Sequence, residues 1–314
     1  MLNCLKNLPG YDLLDISEYL GGRWLKSFVG IAYITMFVFV STTILRYFSE
    51  KLKLIYFHIT PNIVILLIFL VGAVIINKIG AKSIIQINIL IVSALLISIL
   101  ITILSVTSLY DFNLLFPILG NGINETFFSG LSNLFAFEGL AYLFFLMPLL
   151  KDTKDFKKIS ITATIISGIY LFLSVTCLLL VFSYVYKTEE ILLLYSLARL
   201  AEFGDFIQRT DALFILIWIL SVFSYVSVSL FFASHIFKKL TNASNIKAIL
   251  YPLATLMLGL AFVVSNIADS ITLQRIPLKF FQLGLILIIS PAILILANIK
   301  QKFKKGVFQP HGKN

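Results

Sequence analysis

The run LFAFEGLAYLFFLMPLL, from Leu134 to Leu150, holds one carboxylic acid, Glu138, among aromatic and aliphatic side chains. An ionisable group at the centre of a membrane helix costs about 2.5–3.5 kcal/mol on insertion scales. The stretch is therefore either a span whose acid has a purpose or a partner, or not a simple span. Gly139 follows the acid directly, and the segment just upstream, DFNLLFPILGNGINETFFSG (Asp111 to Gly130), carries Pro117, Gly120 and Gly122 among apolar residues. That pattern predicts a partly buried, broken backbone leading into a locally unwound helix. Irregular backbone at membrane depth is tolerated where it is buried in protein or lines a water cavity, and discontinuous helices form the substrate sites of many transporters. Glu138 is expected to be neutral or held by a donor. A structural hydrogen bond to a neighbouring helix is the plainer alternative.

Outward from this stretch the same composition continues. Of 314 residues 59% are hydrophobic and 13% charged, with mean hydropathy +0.99, against about 25% charged residues in soluble domains. The chain reads as an all-α integral membrane protein. A span needs about 20 apolar residues, and eight runs come near that length: 27–47, 61–77, 84–108, 131–150, 159–185, 212–237, 247–267 and 279–299. They leave no room for a soluble domain, so residues 1–314 are expected to form one polytopic membrane domain. Residues 1–24 are expected to be a cytoplasmic amphipathic segment, because Leu13, Leu14, Ile16, Tyr19 and Leu20 share a face from which Asp12, Asp15 and Glu18 point away. Tyr186 to Thr210, with apolar residues at helical spacing and mixed charge, is expected to be an outer interfacial helix.

The formal charge of +10 does not indicate nucleic acid, because the basic residues cluster in alternate loops. With a cytoplasmic C-terminus, 17 of the 25 Lys and Arg residues fall inside, as the positive-inside rule expects, and both termini are cytoplasmic. Arg46, Lys51 and Lys53 run against this arrangement; the loop from Tyr110 to Gly130, with no Lys or Arg, supports it. Cys4, Cys177, His58, His235 and His311 are scattered, so neither a disulfide framework, a metal site nor a cofactor is implied. HExxH, GxSxG, phosphate-loop and CxxC motifs are absent, and no enzyme is expected.

Two stripes accompany Glu138. Gly30, Tyr33, Phe37 and Ser41 on the first span follow 3, 4, 4 spacing, as do Trp218, Ser221, Tyr225 and Ser229 on the sixth. Either stripe alone reads as helix packing. With Glu138 they have the makeup of a small-ligand pocket, whose candidate lining is Tyr33, Phe37, Phe135, Glu138, Gly139, Tyr142, Trp218, Ser221 and Tyr225.

Four collinear runs, PGYDLLDISEYLGGRWL (Pro9 to Leu25), FPILGNGI (Phe116 to Ile123), FAFEGLAYLFFLMPLL and EFGDFIQRTDALFILIWILSVF (Glu202 to Phe223), resemble the B subunits of spore germinant receptors, the GerAB type of spore germination protein. These are similar to amino acid permeases. The resemblance implies a leucine-transporter-like bundle in the spore inner membrane that senses a small nutrient, such as an amino acid, together with receptor A and C subunits. The alternative it leaves is a proton- or sodium-coupled amino acid transporter with Glu138 as coupling acid. By position, the first, fourth and sixth spans here look like the family's third, sixth and eighth, which contribute to the central pocket of permease-like folds. Arg209, Asp211 and Trp218 match the pattern that opens the eighth span, implying a structural role at the outer mouth for Arg209 and Asp211. Gln208 stands where the family commonly has Glu. The family usually has ten spans, so its first two are expected to be missing here, with a misplaced start codon preferred over a degraded gene or a shortened protein.

Overall fold

The computed structural model describes residues 10–118, 120, 122–150, 156–182, 193–200, 210–264, 267–273 and 277–303, and all regular structure among them is helical. The helices are α1 (Leu13–Ile55), α2 (Asn62–Ile79), α3 (Ala81–Ser105), α4 (Ile123–Ser132), α5 (Leu140–Leu146), α6 (Phe156–Val181), α7 (Leu193–Leu200), α8 (Thr210–Thr241), α9 (Ile246–Val263), α10 (Ile267–Leu273), α11 (Lys279–Leu283) and α12 (Ser290–Phe303). A π-helical stretch, Gly284–Ile289, joins α11 to α12, so Lys279–Lys300 is one apolar rod. Seven of the described helices are long and apolar enough to cross a membrane. An eighth span is made if Ile123–Phe137 and Leu140–Leu149, bent by 43° at the break between them, are counted together. The chain is a multi-pass, all-α integral membrane protein.

The polypeptide forms two compact units. The first comprises Met1–Thr43, Leu134–Thr164 and Ser229–Asn314; the second comprises Ile44–Asn133 and Ile165–Val228. The chain passes from one to the other inside α1, between Asn133 and Leu134 ahead of α5, and inside α6 and α8.

In the first unit, the expected amphipathic segment and the first span turn out to share α1. They are separated by a break at Gly21 and Gly22, where Gly22 adopts φ 68°, a region glycine enters without a Cβ penalty. Leu13, Leu14 and Ile16 are buried, as the apolar face predicts. Asp12 and Asp15 do not point away. Their carboxylates lie 2.7 and 2.6 Å from Lys239 Nζ near the end of α8, and each also accepts from the other's backbone N–H, at 3.0 and 3.1 Å, satisfying donors left open at the helix start. Their counter-charge sits more than two hundred residues further along the chain, so helical spacing within 1–24 carries no sign of it. Lys300 Nζ donates to the carbonyls of Tyr19 (2.8 Å) and Leu20 (3.4 Å), two acceptors exposed by the break. At Gly30 an added Cβ would lie 2.7 Å from a Leu240 methyl, so α1 and α8 approach closely through the small residue.

In the second unit, α1 continues to Ile55, beyond the expected end near 47. The extension keeps Arg46, Glu50 and Lys51 on helix, with Arg46 and Lys51 buried. Arg46 bridges Glu50 one turn on at 2.7 Å, and Glu50 also accepts from Asn62 Nδ2 at 2.6 Å. Asn77 Nδ2 donates to the carbonyls of Ala73 (2.8 Å) and Ser227 (3.0 Å), and Ser224 Oγ donates to Asn88 Oδ1. Gly72 sits where a Cβ would meet the Phe223 ring at 2.7 Å. Val106, Cys177, Phe182 and Leu197 form a separate buried cluster, with Tyr110 Oη donating to the Ile103 carbonyl at 2.8 Å beside it.

Candidate ligand site

Tyr33 and Phe37, one turn apart on α1, are buried. In the first unit they meet α5, which starts immediately after the helix break. Tyr33 lies edge-on to Phe145, with ring centroids 4.8 Å apart, and to Phe144 at 6.2 Å. Phe37 stacks on Tyr142 at 4.8 Å with 8° between the planes. Phe232 of α8 closes the cluster, 5.0 Å from Tyr142 and 6.1 Å from Phe37.

Both tyrosine tips are paired with serines rather than buried bare, which would forfeit a hydrogen bond and its desolvation cost. Tyr33 Oη is 2.5 Å from Ser290 Oγ, and Tyr142 Oη is 2.8 Å from Ser229 Oγ. In each pair either oxygen can donate, so the pair can exchange its partner for a ligand group without stranding a charge. Ser41, the last residue of the first stripe, donates to the Phe37 carbonyl at 2.5 Å, so its hydroxyl is satisfied within its own helix.

Glu138 stands at the break itself. A 3-10 turn, Asn133–Phe137, ends before it, and α5 begins after Gly139. The acid's N–H donates to the Phe135 carbonyl and its carbonyl accepts from Ala141 N–H, both at 2.9 Å. Its side chain is half-buried, while Gly139 is exposed and has open space where a Cβ would stand. Phe135 lines an apolar cavity of about 240 Å³ with Phe137, Leu140, Thr164, Leu283 and Ile286, and Lys279 Nζ lies 5.3 Å from the Phe135 ring, within cation–π range.

Trp218, Ser221 and Tyr225 belong to the second unit. Trp218 packs edge-on to Phe48 at 5.1 Å and against Phe214 at 5.8 Å. Lys51 Nζ lies 5.2 Å from the Trp218 ring and 4.0 Å from that of Tyr47. Ser221 Oγ donates to the Ile217 carbonyl at 2.8 Å, and Tyr225 is half-buried. Of the residues singled out in the sequence, Tyr33, Phe37 and Tyr142 thus gather in one aromatic cluster, and Phe135, Glu138 and Gly139 lie in the broken segment of the same unit. Arg209 lies outside the described residues. Asp211 falls in the first turn of α8, its side chain likewise outside them.

Ser290 and Phe232 join the cluster without having been singled out. Ser290 follows a purely aliphatic run, and no periodicity separates it from the many packing serines of the other helices. The Arg46, Glu50 and Asn62 grouping was also missed. The i,i+4 spacing of Arg46 and Glu50 is a visible signal that the expected helix end at 47 concealed.

A family model described as spore germination protein, of spore permease type, matches residues 1–270. The broken span among apolar helices therefore sits in a chain of permease class, not one of an enzyme family. The chain belongs to the spore germination protein family. It is similar to spore germination protein KB of Bacillus subtilis (strain 168), with 27% identity over 269 residues, covering 84% of this chain and 71% of that protein.

Proposed function

We propose that this chain is the B subunit of a nutrient germinant receptor. It binds a small nutrient, an amino acid, within the membrane and passes its occupancy to receptor A and C subunits in the spore inner membrane, with both termini in the cytoplasm. The observation that carries this reading is the helix break at Glu138 and Gly139, placed directly before the helix that brings Tyr142 onto Phe37. The break replaces regular α-helical backbone with tighter turns at Glu138 and Gly139, and irregular backbone at membrane depth persists only in protein or at a cavity. The proposed ligand contacts in the first unit are Tyr33, Phe37, Phe135, Glu138, Gly139 and Tyr142. Aromatic faces hold the aliphatic part of the nutrient, and Glu138 with the tyrosine hydroxyls takes its polar groups.

A receptor of this kind needs a ligand that prefers one of two states. The paired hydroxyls of Tyr142 and Ser229 offer such a choice, closed on each other or opened onto a ligand. Glu138→Gln in spores, at normal protein level, is expected to reduce the germination response to the activating nutrient. An unchanged response across a nutrient panel overturns the role of this acid. Proton- or sodium-coupled amino acid uptake by the chain alone in vesicles would instead make it a transporter with Glu138 as the coupling group.

A further inference from the structure

In the first unit, α1 and the last rod, Lys279–Lys300, frame two adjoining apolar hollows. One, of about 520 Å³, lies between Ile31 and Thr35 on α1 and Gly284 on the rod. The other, of about 680 Å³, runs on to Leu20 and Lys300. Phe28 and Ile289 line both, so the two make one groove. At 1.5 Å per residue the wall from Gly284 to Lys300 is about 24 Å long, more than half of a hydrocarbon core of about 30 Å. The groove is thus long enough for the acyl chain of one leaflet. The π-helical stretch forms part of its wall, and π-turns of this kind recur at functional sites. Gly284 leaves open space where a side chain would stand.

The two ends differ in chemistry. At the end near Phe280 and Thr35 the lining is uncharged, and the neighbouring Lys279 is turned to the Phe135 ring at 5.3 Å. The end near Leu20 carries Arg23, exposed, and Lys300, whose ammonium meets the neutral carbonyls of Tyr19 and Leu20 and the Tyr19 ring at 4.6 Å. Lys26 is neutralised there by Glu18 at 2.7 Å, and Asp12 and Asp15 are held by Lys239, so the positive charge of Arg23 and Lys300 stands uncompensated by these acids. Trp24, 90% exposed on the same turn, is the residue type that settles at headgroup level. An occupant must then have a long apolar tail and an anionic head. A second copy placed symmetrically would bring two such positive ends together.

We propose that this groove binds one anionic phospholipid, its acyl chain along α1 and the last rod and its phosphate at Arg23 and Lys300. The site is separate from the proposed nutrient contacts and does not depend on them. The test uses the full chain purified in detergent and stripped of lipid. Dioleoyl phosphatidylglycerol and dioleoyl phosphatidylcholine, which share their acyl chains, are titrated in turn, with thermal melting and retention in native mass spectrometry as readouts. Phosphatidylglycerol is expected to raise the melting temperature more than phosphatidylcholine and to be retained as one molecule per chain. Arg23→Gln, at an exposed position, is expected to weaken that retention about fivefold, the scale of one basic residue at an anionic lipid surface. Ala292→Trp, which fills the groove, is expected to remove the retention of both lipids. Equal effects of the two lipids, an undiminished preference in Arg23→Gln, or a dimer that keeps no lipid would each overturn the proposal.

Discussion

Two interiors, the aromatic cluster of the first unit and the Arg46 region of the second, hold polar groups by opposite means. In the first, the interior around Tyr33, Phe37 and Tyr142 uses neutral hydroxyl pairs set among rings. In the second, the interior holds full charges: Arg46 on Glu50, Glu50 on Asn62, and Lys51 over Tyr47 and Trp218. Hydroxyl pairs cost little to separate, because each oxygen can donate or accept. A buried ion pair is rigid, since removing one partner leaves the other charge stranded. The aromatic cluster is thus built to exchange partners and the Arg46 region to hold its geometry, which fits the proposed nutrient contacts lying in the first.

Three experiments test that contrast, measured as changes in unfolding free energy of the detergent-solubilised protein. Glu50→Ala is expected to have the largest effect, a loss of about 3–5 kcal/mol, because it takes a carboxylate partner away from buried Arg46. Glu50→Gln, which keeps an acceptor for Asn62, is expected to lose less. Tyr33→Phe is expected to cost about 1–3 kcal/mol, the penalty of leaving the buried Ser290 hydroxyl without its partner. If it costs as much as Glu50→Ala, the division between exchangeable and rigid interiors fails.

The smallest expected effect is a pH dependence at the start of α1. Burial pushes the Asp12 carboxyl up from 3.8 to about 6; the nearby Lys239 ammonium pulls it down in part, and Asp15 pushes it further up. The folded state therefore holds this proton more tightly than the unfolded chain. By linkage, the contribution of Asp12 to stability is fully present below about pH 4 and is lost as pH rises through about 6. Melting temperature followed across that window is expected to show this decline in the wild type and to lack it in Asp12→Asn. Equal profiles would show that Asp12 does not titrate there.

Much of the architecture was legible in the sequence because span-forming helices are read from composition over windows of about 20 residues. The break near Glu138 was legible too, since Gly139 and the upstream Pro117, Gly120 and Gly122 are local signals. Tyr33 and Phe37 were found by helical spacing alone. What spacing did not reveal was the company these residues keep. Asp12 and Asp15 read as a solvated face, and Arg46 as the end of a helix. The partner Lys239 depends on which helices pack together, whereas Glu50 stands one turn further along the same helix and was hidden only by the expected helix end.

The sequence by itself determined that this chain lives in a membrane, which stretches are apolar enough to cross it, and that one apolar stretch carries an acid beside a helix breaker. Those properties follow from each segment's own hydropathy and backbone preferences. Only the tertiary structure decided that Tyr142 stacks on Phe37, that Ser229 and Ser290 receive the tyrosine hydroxyls, and that Trp218 packs in the other unit. Such pairings join residues far apart in the chain, and the free energy that selects them comes from packing and hydrogen bonds between helices, which no single segment encodes.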